Sequence, residues 1–444
     1  MKHTWSADRV RRTFVGFFEH LGYVHYPSAS LRPPKEDRSL LFTNAGVVQF
    51  KPVLLGTAPP GSRLVSLTKA VNCQRCVRLT DLELVGSDRR HLSFFEMLGN
   101  WSFNGQLSKK TVCRQAWSIL TDVFQIPADR LVVTYFLGDE KLGVAGDIET
   151  RDIWLEIGLK PDVILARSAA DNFWRLGPSG PCGPCTEIYY RLGVEGMVEL
   201  WNIVFMDYCQ LSESQMVRLQ ASHIDTGLGL ERLCALLQQV HSPFVTDLFQ
   251  PIMEEISRAG NLPPYADLYG SDDAGKLFSN YRIIADHCRM CVFALADGIV
   301  PGPHLAGYVL RKTMRRAIYC ASLLLPNSNF LRQVVDRVID VMVGAYPELE
   351  SKRSKIVNFL SKEEESFRRT LSNARERFSR MLRSKGPSGI TALDLFLLYN
   401  TFGLPRSVVE DLAVKCSVTF SREKFDALLW QHREASRSSE AIGA

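Results

Sequence analysis

The sequence predicts an α+β protein in which an antiparallel sheet with flanking helices precedes an all-helical domain. Up to about residue 255, short strand-like runs alternate with segments of helical spacing. Beyond that point apolar residues recur at spacings of three and four, which is typical of helices. Loop-like stretches at 261–264 and 271–275 mark the change. We therefore expect two domains, at 1–255 and 256–444.

The elements of the first predicted domain follow from local patterns. Helices are predicted where apolar residues share one helical face, at 9–23, 109–125 and 148–158. Residues 24–56 have the composition of strand and turn. Strands are predicted as an antiparallel pair within 64–103 and at 131–136, 186–191 and 197–206. Three prolines and three glycines predict a loop at Gly177–Pro184, because neither residue type favours regular structure.

The second predicted domain is helical and basic. Its helices are expected at 280–297, 305–325, 328–345, 353–384 and 391–400. Residues 261–444 contain 26 Lys and Arg against 20 Asp and Glu, whereas residues 1–260 are close to balance. Such an excess suggests a polyanionic partner such as nucleic acid. The alternative is ordinary variation on a helical surface.

The chain offers no sign of a membrane span or a secretory signal. No run of eighteen apolar residues occurs, so no membrane-spanning helix is predicted. The first residues carry three arginines but lack an apolar core and a cleavage site. This segment is more typical of a structured helix than of a transit-like segment, because its apolar residues have helical spacing: Val10, Phe14, Phe17, Phe18 and Leu21.

Eleven cysteines, an odd number without a secretion signal, indicate reduced thiols. The pairs Cys73/Cys76, Cys182/Cys185 and Cys288/Cys291 have the Cys-x-x-Cys spacing, and two such pairs can bind a structural zinc ion. The polar knuckles of such sites are absent from their flanks, and the third pair lies in a helical pattern. We therefore expect no zinc.

The segment Ile224–Arg232 carries the strongest chemical signal. An acid, Asp225, precedes two glycines at a predicted turn, and Arg232 follows in the first turn of an apolar helix. The acid can hold an ammonium group, the glycines let backbone approach a ligand, and the arginine can stack on a base or pair with phosphate. This combination suits an enzyme that activates an amino acid. The alternative is a Gly-x-Gly turn that binds nothing.

Other segments carry weaker signals. Arg78 at the entry of the predicted hairpin can reach a phosphate, and Phe95 on its returning strand can stack on a nucleobase. Trp174, before the glycine–proline segment, can form the wall of a small pocket. Asn202 interrupts a buried strand and requires hydrogen-bond partners, either backbone or ligand. Each of these residues is also compatible with a role in the core or on the surface alone.

These segments, in this order, resemble the alanyl-tRNA synthetase family over essentially the whole chain. The motifs are QRCVR, FFEMLGN, DNFW, GPCGPCTEI, LWNIVFM and IDTGLGLER, with LLFTNAG before them and RIIADHCR, GYVLRK and FGLP after them. Phrases such as ETRDIWLEIGL are most similar to the animal mitochondrial branch, which implies a mitochondrial location, the alternative being cytoplasmic. The resemblance implies a class II synthetase fold, with a six- or seven-stranded antiparallel sheet followed by a helical tRNA-recognition domain.

The resemblance also implies site residues. Arg78 is expected at the ATP α-phosphate and Asp225 at the alanine ammonium. Arg232 and Phe95 are expected around adenine. The implied catalytic residues are Arg78, Asp225 and Arg232. The implied ATP contacts are Arg78, His91, Phe95, Trp174, Leu200, Trp201, Asn202, Gly229 and Arg232. The implied alanine contacts are Met97, Trp174, Asn202, Val204, Asp225 and Gly227.

The implied reaction is the ATP-dependent activation of L-alanine and its transfer to the 3′ end of tRNA(Ala). Positioning and neutralisation of charge by cations and Mg²⁺ supply the catalysis, and no protein nucleophile or metal-binding side chain is needed. The implied contacts to the tRNA acceptor stem are Arg311, Lys312, Arg315, Arg316 and Asn400. The family's editing and C-terminal oligomerising domains have no counterpart here, so we expect a monomer.

Two departures from the family leave an alternative open. Only Leu79 and Thr80 separate Arg78 from Asp81, so the hairpin loop is four residues short and lacks the family's lysine. His91 remains from a histidine pair whose ATP-contacting member is Leu92 here. The alternative is therefore a catalytically impaired synthetase-like protein that binds RNA or a partner. A third possibility is an amino-acid-adenylating ligase that does not use tRNA.

Overall fold

A computed structural model describes residues 5–34, 40–177, 179–193, 196–212, 215–325 and 330–442. The predicted helix start at 328 and the loop residue at 178 lie outside these ranges. The chain folds into two compact units. The first contains Met1–Leu79 and Arg89–Pro251, and the second contains Thr80–Asp88 and Ile252–Ala444.

A mixed sheet forms the centre of the first unit. Its nine strands within the described residues are β1 (Val24–His25), β2 (Lys69–Val77), β3 (Phe94–Ser102), β4 (Leu131–Phe136), β5 (Ile164–Arg167), β6 (Phe173–Arg175), β7 (Gly180–Arg191), β8 (Met197–Ser212) and β9 (Gln215–Gly229). Their order is β1-β2-β3-β9-β8-β7-β4-β5, and β6 pairs with β7. The pairs β1/β2 and β4/β5 are parallel, and the other pairs are antiparallel.

The fold class predicted from the sequence is confirmed, with a wider sheet than the resemblance implied. The predicted hairpin within 64–103 is the pair β2/β3, and β4 has the predicted bounds. The two parallel pairs involve β1 and β5, which are only 2 and 4 residues long. Strands this short carry too little alternation to be recognised in the sequence.

The prediction of a loop through Gly177–Pro184 is wrong from Gly180 onward. Strand β7 begins there, and Pro181 lies opposite Cys209 of β8. The register shifts between Cys182 and Cys185, and such irregularities are where a strand accommodates proline, which cannot donate a ladder hydrogen bond. The glycine–proline composition therefore marks an irregular strand, which brings β6 and β7 together.

Helices flank the sheet of the first unit. They are α1 (Ala7–His20), α2 (Lys51–Leu54), α3 (Lys109–Ser118), α4 (Ile148–Ile157), α5 (Ala169–Asn172) and α6 (Leu230–Leu237). The Ser6 hydroxyl caps α1 by accepting from the backbone N–H of Arg9. Phe14 and Phe18 of α1 are fully buried against Trp201 of β8, with ring centroids 5.7 and 6.4 Å away. One face of the sheet is thus closed by an aromatic core.

The second unit is helical. Its helices are α7 (Gln250–Gly260, whose first two residues belong to the first unit), α8 (Leu277–Ala296), α9 (Leu305–Leu324), α10 (Leu331–Met342), α11 (Glu348–Lys385), α12 (Ala392–Phe402), α13 (Arg406–Lys415) and α14 (Arg422–Ile442). A capping box between Thr391 and Asp394 starts α12. Within the described part of the chain, no helix combines the length and apolar character needed to cross a membrane.

Residues 80–88, the short loop between β2 and β3, belong to the second unit. Buried Arg282 donates from Nε and Nη2 to the carbonyl oxygen of Gly86, at 3.1 and 2.9 Å. Arg316 donates to the carbonyl oxygens of Leu82 and Val85. Two buried guanidinium groups therefore satisfy three backbone carbonyls, which holds this segment on the helices.

Candidate active site

The sheet register collects most of the predicted site residues on one face, which we call the site face. Asn202 of β8 lies opposite Gly227 of β9, and Val204 lies opposite Asp225. Met97 of β3 lies opposite Gly229. Directly paired residues share a face and alternate residues along a strand return to it, so the central strands β3, β9 and β8 present these side chains together.

Asp225 is a buried acid at the centre of the site face, with 6% of its surface exposed. Its Oδ1 accepts a hydrogen bond of 2.5 Å from the indole Nε1 of Trp101. Burial raises the pKa of Asp225 to about 7, and the bond from Trp101 opposes this rise. Among the described residues, Trp101 is the one side-chain donor to this carboxylate. A buried carboxylate in this state is well suited to receive a cationic group, which would supply its counter-charge.

Apolar side chains lie beside Asp225 on the site face, where Val204 is its direct partner on β8. Met97, Val204 and Cys185 belong to one buried cluster, against which Trp174 packs. A Cβ atom at position 227 would stand 2.7 Å from the sulfur of Met97, so only glycine fits there unless Met97 moves. The two glycines of the 224–229 segment lie in β9 and not in a turn, which corrects the sequence prediction. They act by leaving space above the strand.

Asn202 lies between Gly227 and a second buried acid, Glu187, which are its direct partners on β9 and β7. Its Nδ2 approaches Glu187 Oε1 at 3.5 Å, while its buried Oδ1 has no hydrogen-bond partner among the described residues. Glu187 Oε2 accepts a 2.6 Å bond from the hydroxyl of Tyr189. Burial, followed by the nearby charge of Glu199, raises the pKa of Glu187 to about 7. The orphaned Asn202 oxygen is an acceptor that a ligand N–H or O–H would satisfy.

Arg232 lies where β9 ends and α6 begins. Its Nη1 donates to the backbone oxygen of Glu199 at 3.0 Å and to Glu199 Oε2 at 3.1 Å. The Arg232 side chain lies over Gly229, with Cδ 3.5 Å from where a Cβ atom would be. With 29% of its side chain exposed, Arg232 offers a held but accessible guanidinium plane.

At the same end of the sheet, Arg78 lies over the ring of Phe95 with 5.0 Å from Cζ to the ring centroid. Both side chains are half-buried, as is His91. Phe95 precedes Met97 by two residues and shares its face, so it lies towards the β9/α6 junction that carries Arg232. The predicted nucleotide contacts Arg78, Phe95, Gly229 and Arg232 thus occur around one end of the site face.

One residue predicted from the sequence does not contribute its side chain to the site face. Trp201 is fully buried on the opposite face, in the aromatic core with Phe14 and Phe18. Strand alternation explains this, because Trp201 lies between Leu200 and Asn202. Leu92 is buried, with 5% exposure, so the leucine that replaces a histidine is part of the core.

In the second unit, the predicted tRNA contacts differ in accessibility. Arg316 is buried against residues 80–88, and Arg315 donates to Glu363 at 2.7 Å and to backbone carbonyls near Gly403. Lys312 donates to the Leu404 oxygen at 2.8 Å, and burial, followed by Arg315, lowers its pKa to about 7. Arg311 keeps 32% of its side chain exposed, and Asn400 is exposed.

Sequence reasoning missed three polar residues of the site face or its margin. Trp101 lies within the predicted hairpin, and the signal that could have found it is that a buried tryptophan needs an acceptor for its N–H. Glu187 and Glu199 stand in otherwise apolar strand runs, which is the signal that could have found them. Among the described residues, no group of three or more His, Cys, Asp or Glu side chains is placed to hold a metal ion. All eleven cysteines are unpaired thiols.

The chain is similar to known proteins over most of its length. A family model described as tRNA synthetases class II (A) matches residues 9–444. The chain is 42% identical over 414 residues to a mitochondrial alanine–tRNA ligase of Mus musculus, which covers 90% of this chain and 42% of that protein. It is 39% identical over 456 residues to an alanine–tRNA ligase of Candida albicans, covering 98% of this chain and 47% of that protein. The chain thus spans less than half the length of these relatives.

Proposed function

The chain belongs to the class II (A) tRNA synthetase family, and on that premise we propose that it activates L-alanine with ATP and transfers it to tRNA(Ala). The observation that carries the proposal is the buried carboxylate of Asp225 on the same strand as Gly227, above which Met97 leaves no room for a further side chain. The acid suits an α-ammonium group, and the restricted space beside it suits a methyl side chain. Curated alanine–tRNA ligases at 42% and 39% identity support the same assignment.

The Asn202 carboxamide would complete the amino-acid site. Its Nδ2 faces Glu187, so its buried, unpartnered Oδ1 is the atom left for the substrate. An ammonium group held between Asp225 and Asn202 fixes the orientation of the alanine carboxylate. Orientation of this kind contributes strongly to a reaction in which the carboxylate attacks phosphorus in line.

The nucleotide would lie at the end of the site face where Phe95, Gly229 and Arg232 occur. Phe95 and Arg232 provide two flat surfaces for a base, Gly229 leaves room above the strand, and Arg78 supplies positive charge for the α-phosphate. Trp174 and Leu200 add apolar walls, and His91 a further polar contact. Because the cations sit in a partly buried site, they stabilise charge that develops on the phosphate.

Magnesium would enter with ATP, since Mg²⁺ is usually held by substrate phosphates and one or two carboxylates and keeps several waters. The pair Glu187 and Glu199 fits that role, because their mutual repulsion contributes to the raised pKa of Glu187. When bound, the ion neutralises phosphate charge. The protein's own residues bind and orient both substrates, and no described side chain is needed as a nucleophile.

We assign acceptor-stem binding to the second unit, with Arg311 and Asn400 as the accessible predicted contacts. Arg315, Lys312 and Arg316 already donate to intramolecular acceptors. The two arginines would therefore contribute to tRNA binding mainly through electrostatic potential, and Lys312, whose pKa burial lowers to about 7, would contribute less. A mitochondrial location is supported by the Mus musculus and Homo sapiens mitochondrial relatives, while cytoplasmic relatives match at similar identity. A monomeric state completes the proposal.

A second candidate function is RNA or partner binding without catalysis. It is favoured by one observation, the short segment 80–88, which Arg282 and Arg316 hold in the second unit. Residues 80–88 contain no lysine that could reach a phosphate. The intact set of Arg78, Asn202, Asp225 and Arg232 favours the enzyme instead.

Charging of tRNA separates these functions. Purified chain is incubated with ATP, Mg²⁺, labelled alanine and a tRNA(Ala) transcript, and acid-precipitable label is counted. The ligase proposal predicts alanyl-tRNA that depends on Asp225. Tight binding of the transcript with no charging and no alanyl-adenylate would favour the second function, and adenylate without charging would favour an adenylating ligase that does not use tRNA.

A further inference from the structure

Trp101 makes the one side-chain hydrogen bond that the structure gives to Asp225. The two residues are directly paired across β3 and β9, and both are buried. The indole Nε1 lies 2.5 Å from Oδ1, and Trp101 has no exposed surface. A donor this close to one carboxylate oxygen fixes the plane of the carboxylate as well as its position.

The space that Trp101 occupies is created by residues without side chains. A Cβ atom at Gly99 would stand 2.4 Å from the indole Cη2, and one at Gly46 would stand 2.5 Å from Cζ2. Phe50 closes the remaining side, with its ring centroid 4.8 Å from that of Trp101. The ring is therefore tightly packed with its N–H directed across from β3 to Asp225 on β9, and this close packing restrains it from turning away.

We propose that Trp101 is a positioning residue for alanine: its indole N–H holds Oδ1 of Asp225 so that the other carboxylate oxygen is presented to the substrate ammonium. The inference deepens the proposed function and rests on it. It assigns the orientation of the acid to a residue that does not itself need to touch the substrate. The close packing of Gly46, Gly99 and Phe50 around the indole then contributes to substrate binding by holding Trp101 in place.

The bond has an electrostatic consequence that pure packing lacks. A donated N–H stabilises the ionised carboxylate, so its removal raises the pKa of Asp225 further above its present value of about 7. The neighbouring titratable groups do not substitute for it. Cys76 on β2 is kept a neutral thiol by burial, and burial lowers the pKa of His223, two residues before Asp225, to about 4. Both are uncharged near neutral pH.

Two variants remove the donor. Trp101→Phe deletes the N–H and part of the ring, and site-specific replacement of Trp101 by 3-benzothienylalanine deletes the N–H while keeping the ring shape. The matched control is Trp154→Phe, because Trp154 is also fully buried and donates from Nε1 to Thr186 Oγ1 at 2.9 Å. That control loses a buried indole hydrogen bond of the same kind, with no part in the alanine site. Thermal unfolding verifies that each variant folds.

The readouts are the KM for alanine and the KM for ATP in alanine-dependent pyrophosphate exchange, measured from pH 5.5 to 9, and a ¹³C titration of the Asp225 carboxyl. Both Trp101 variants are expected to raise the KM for alanine by about tenfold to a hundredfold, with the KM for ATP little changed. The Asp225 pKa, and with it the rising limb of kcat/KM for alanine, is expected to move to higher pH. Trp154→Phe is expected to do neither.

The inference is overturned if the Asp225 pKa stays in place in the benzothienylalanine variant, or if the two KM values rise together as in a general loss of structure. Failure of the proposed function is a different result: the wild-type chain itself would show no alanine-dependent exchange. In that case the carboxyl titration still decides whether Trp101 controls Asp225, because it requires no catalysis.

Discussion

The sulfur of Met97 lies only 2.7 Å from the position that a Cβ atom at Gly227 would occupy. These two residues come from β3 and β9 and restrict the space beside Asp225. One added methyl group at position 227 must displace Met97, so under the proposed function this contact limits the size of the amino acid that binds. It is the feature from which amino-acid selectivity is most easily tested.

Gly227→Ala is expected to raise the KM for alanine by about tenfold or more, since overpacking of a filled site typically costs about 1–3 kcal/mol. The residue lies in strand and lacks a positive φ, so the backbone accepts alanine without strain. Pyrophosphate exchange measures the effect. Adding Met97→Ala should restore part of the alanine affinity by freeing space, and a double variant no better than Gly227→Ala alone would contradict the proposed contact.

Glu187→Gln is expected to remove a loss of folding stability that the wild-type chain shows as pH rises through about 7. The folded-state pKa of Glu187 is about 7, above the ordinary value of 4.5, so ionisation in the fold is unfavourable. The stability that protonated Glu187 contributes to the fold is therefore fully present below about pH 4.5 and is lost as pH rises through about 7. The loss is on the order of 3 kcal/mol.

Urea unfolding between pH 4.5 and 8 measures this difference between wild-type and Glu187→Gln chains. As pH rises, the free energy of unfolding of the variant should increase relative to that of the wild type. The difference between the two should level off above about pH 7.5. Exposed Glu156→Gln serves as the control and should follow the wild type at every pH. A constant difference between wild type and Glu187→Gln would show that burial does not perturb Glu187.

Arg316→Ala is expected to lower stability, whereas Arg311→Ala is expected to weaken tRNA binding. Arg316 is buried and donates to carbonyls of residues 80–88, so its loss should lower the free energy of unfolding by about 2–4 kcal/mol. Arg311 is partly exposed, and its loss should leave stability nearly unchanged. If it contacts a phosphate, the slope of log Kd for tRNA against log salt should fall by about 1.

Filter binding across a salt series, together with thermal unfolding, measures both effects. Two results would contradict the assignment. One is an Arg316→Ala chain of normal stability whose salt slope falls, and the other is an Arg311→Ala chain that unfolds early. Either would mean that the exposed and buried roles of the two arginines are reversed.

Much of the fold was predictable because the relevant signals are local. Apolar periodicity gave the helices and the β2/β3 hairpin, and the conspicuous segment 224–232 contains Asp225 and Arg232. The glycine–proline segment predicts a loop because the irregular pairing of β7 depends on its partner strands and has no local signal. The role of Trp101 has no local signal either, because its acceptor lies 124 residues away. Trp201 belongs to a motif of the site, but motif membership does not determine which face of the strand its side chain takes.

Alanine-dependent exchange of pyrophosphate into ATP tests the central claim most directly, with Asp225→Asn as the key variant and exposed Asp152→Asn as its control. We expect exchange with alanine in the wild-type and Asp152→Asn chains, much weaker exchange with larger amino acids, and at least a hundredfold loss in Asp225→Asn, roughly what removal of a charged partner costs. Equal exchange in the wild-type and Asp225→Asn chains, or no exchange in either, would contradict the account.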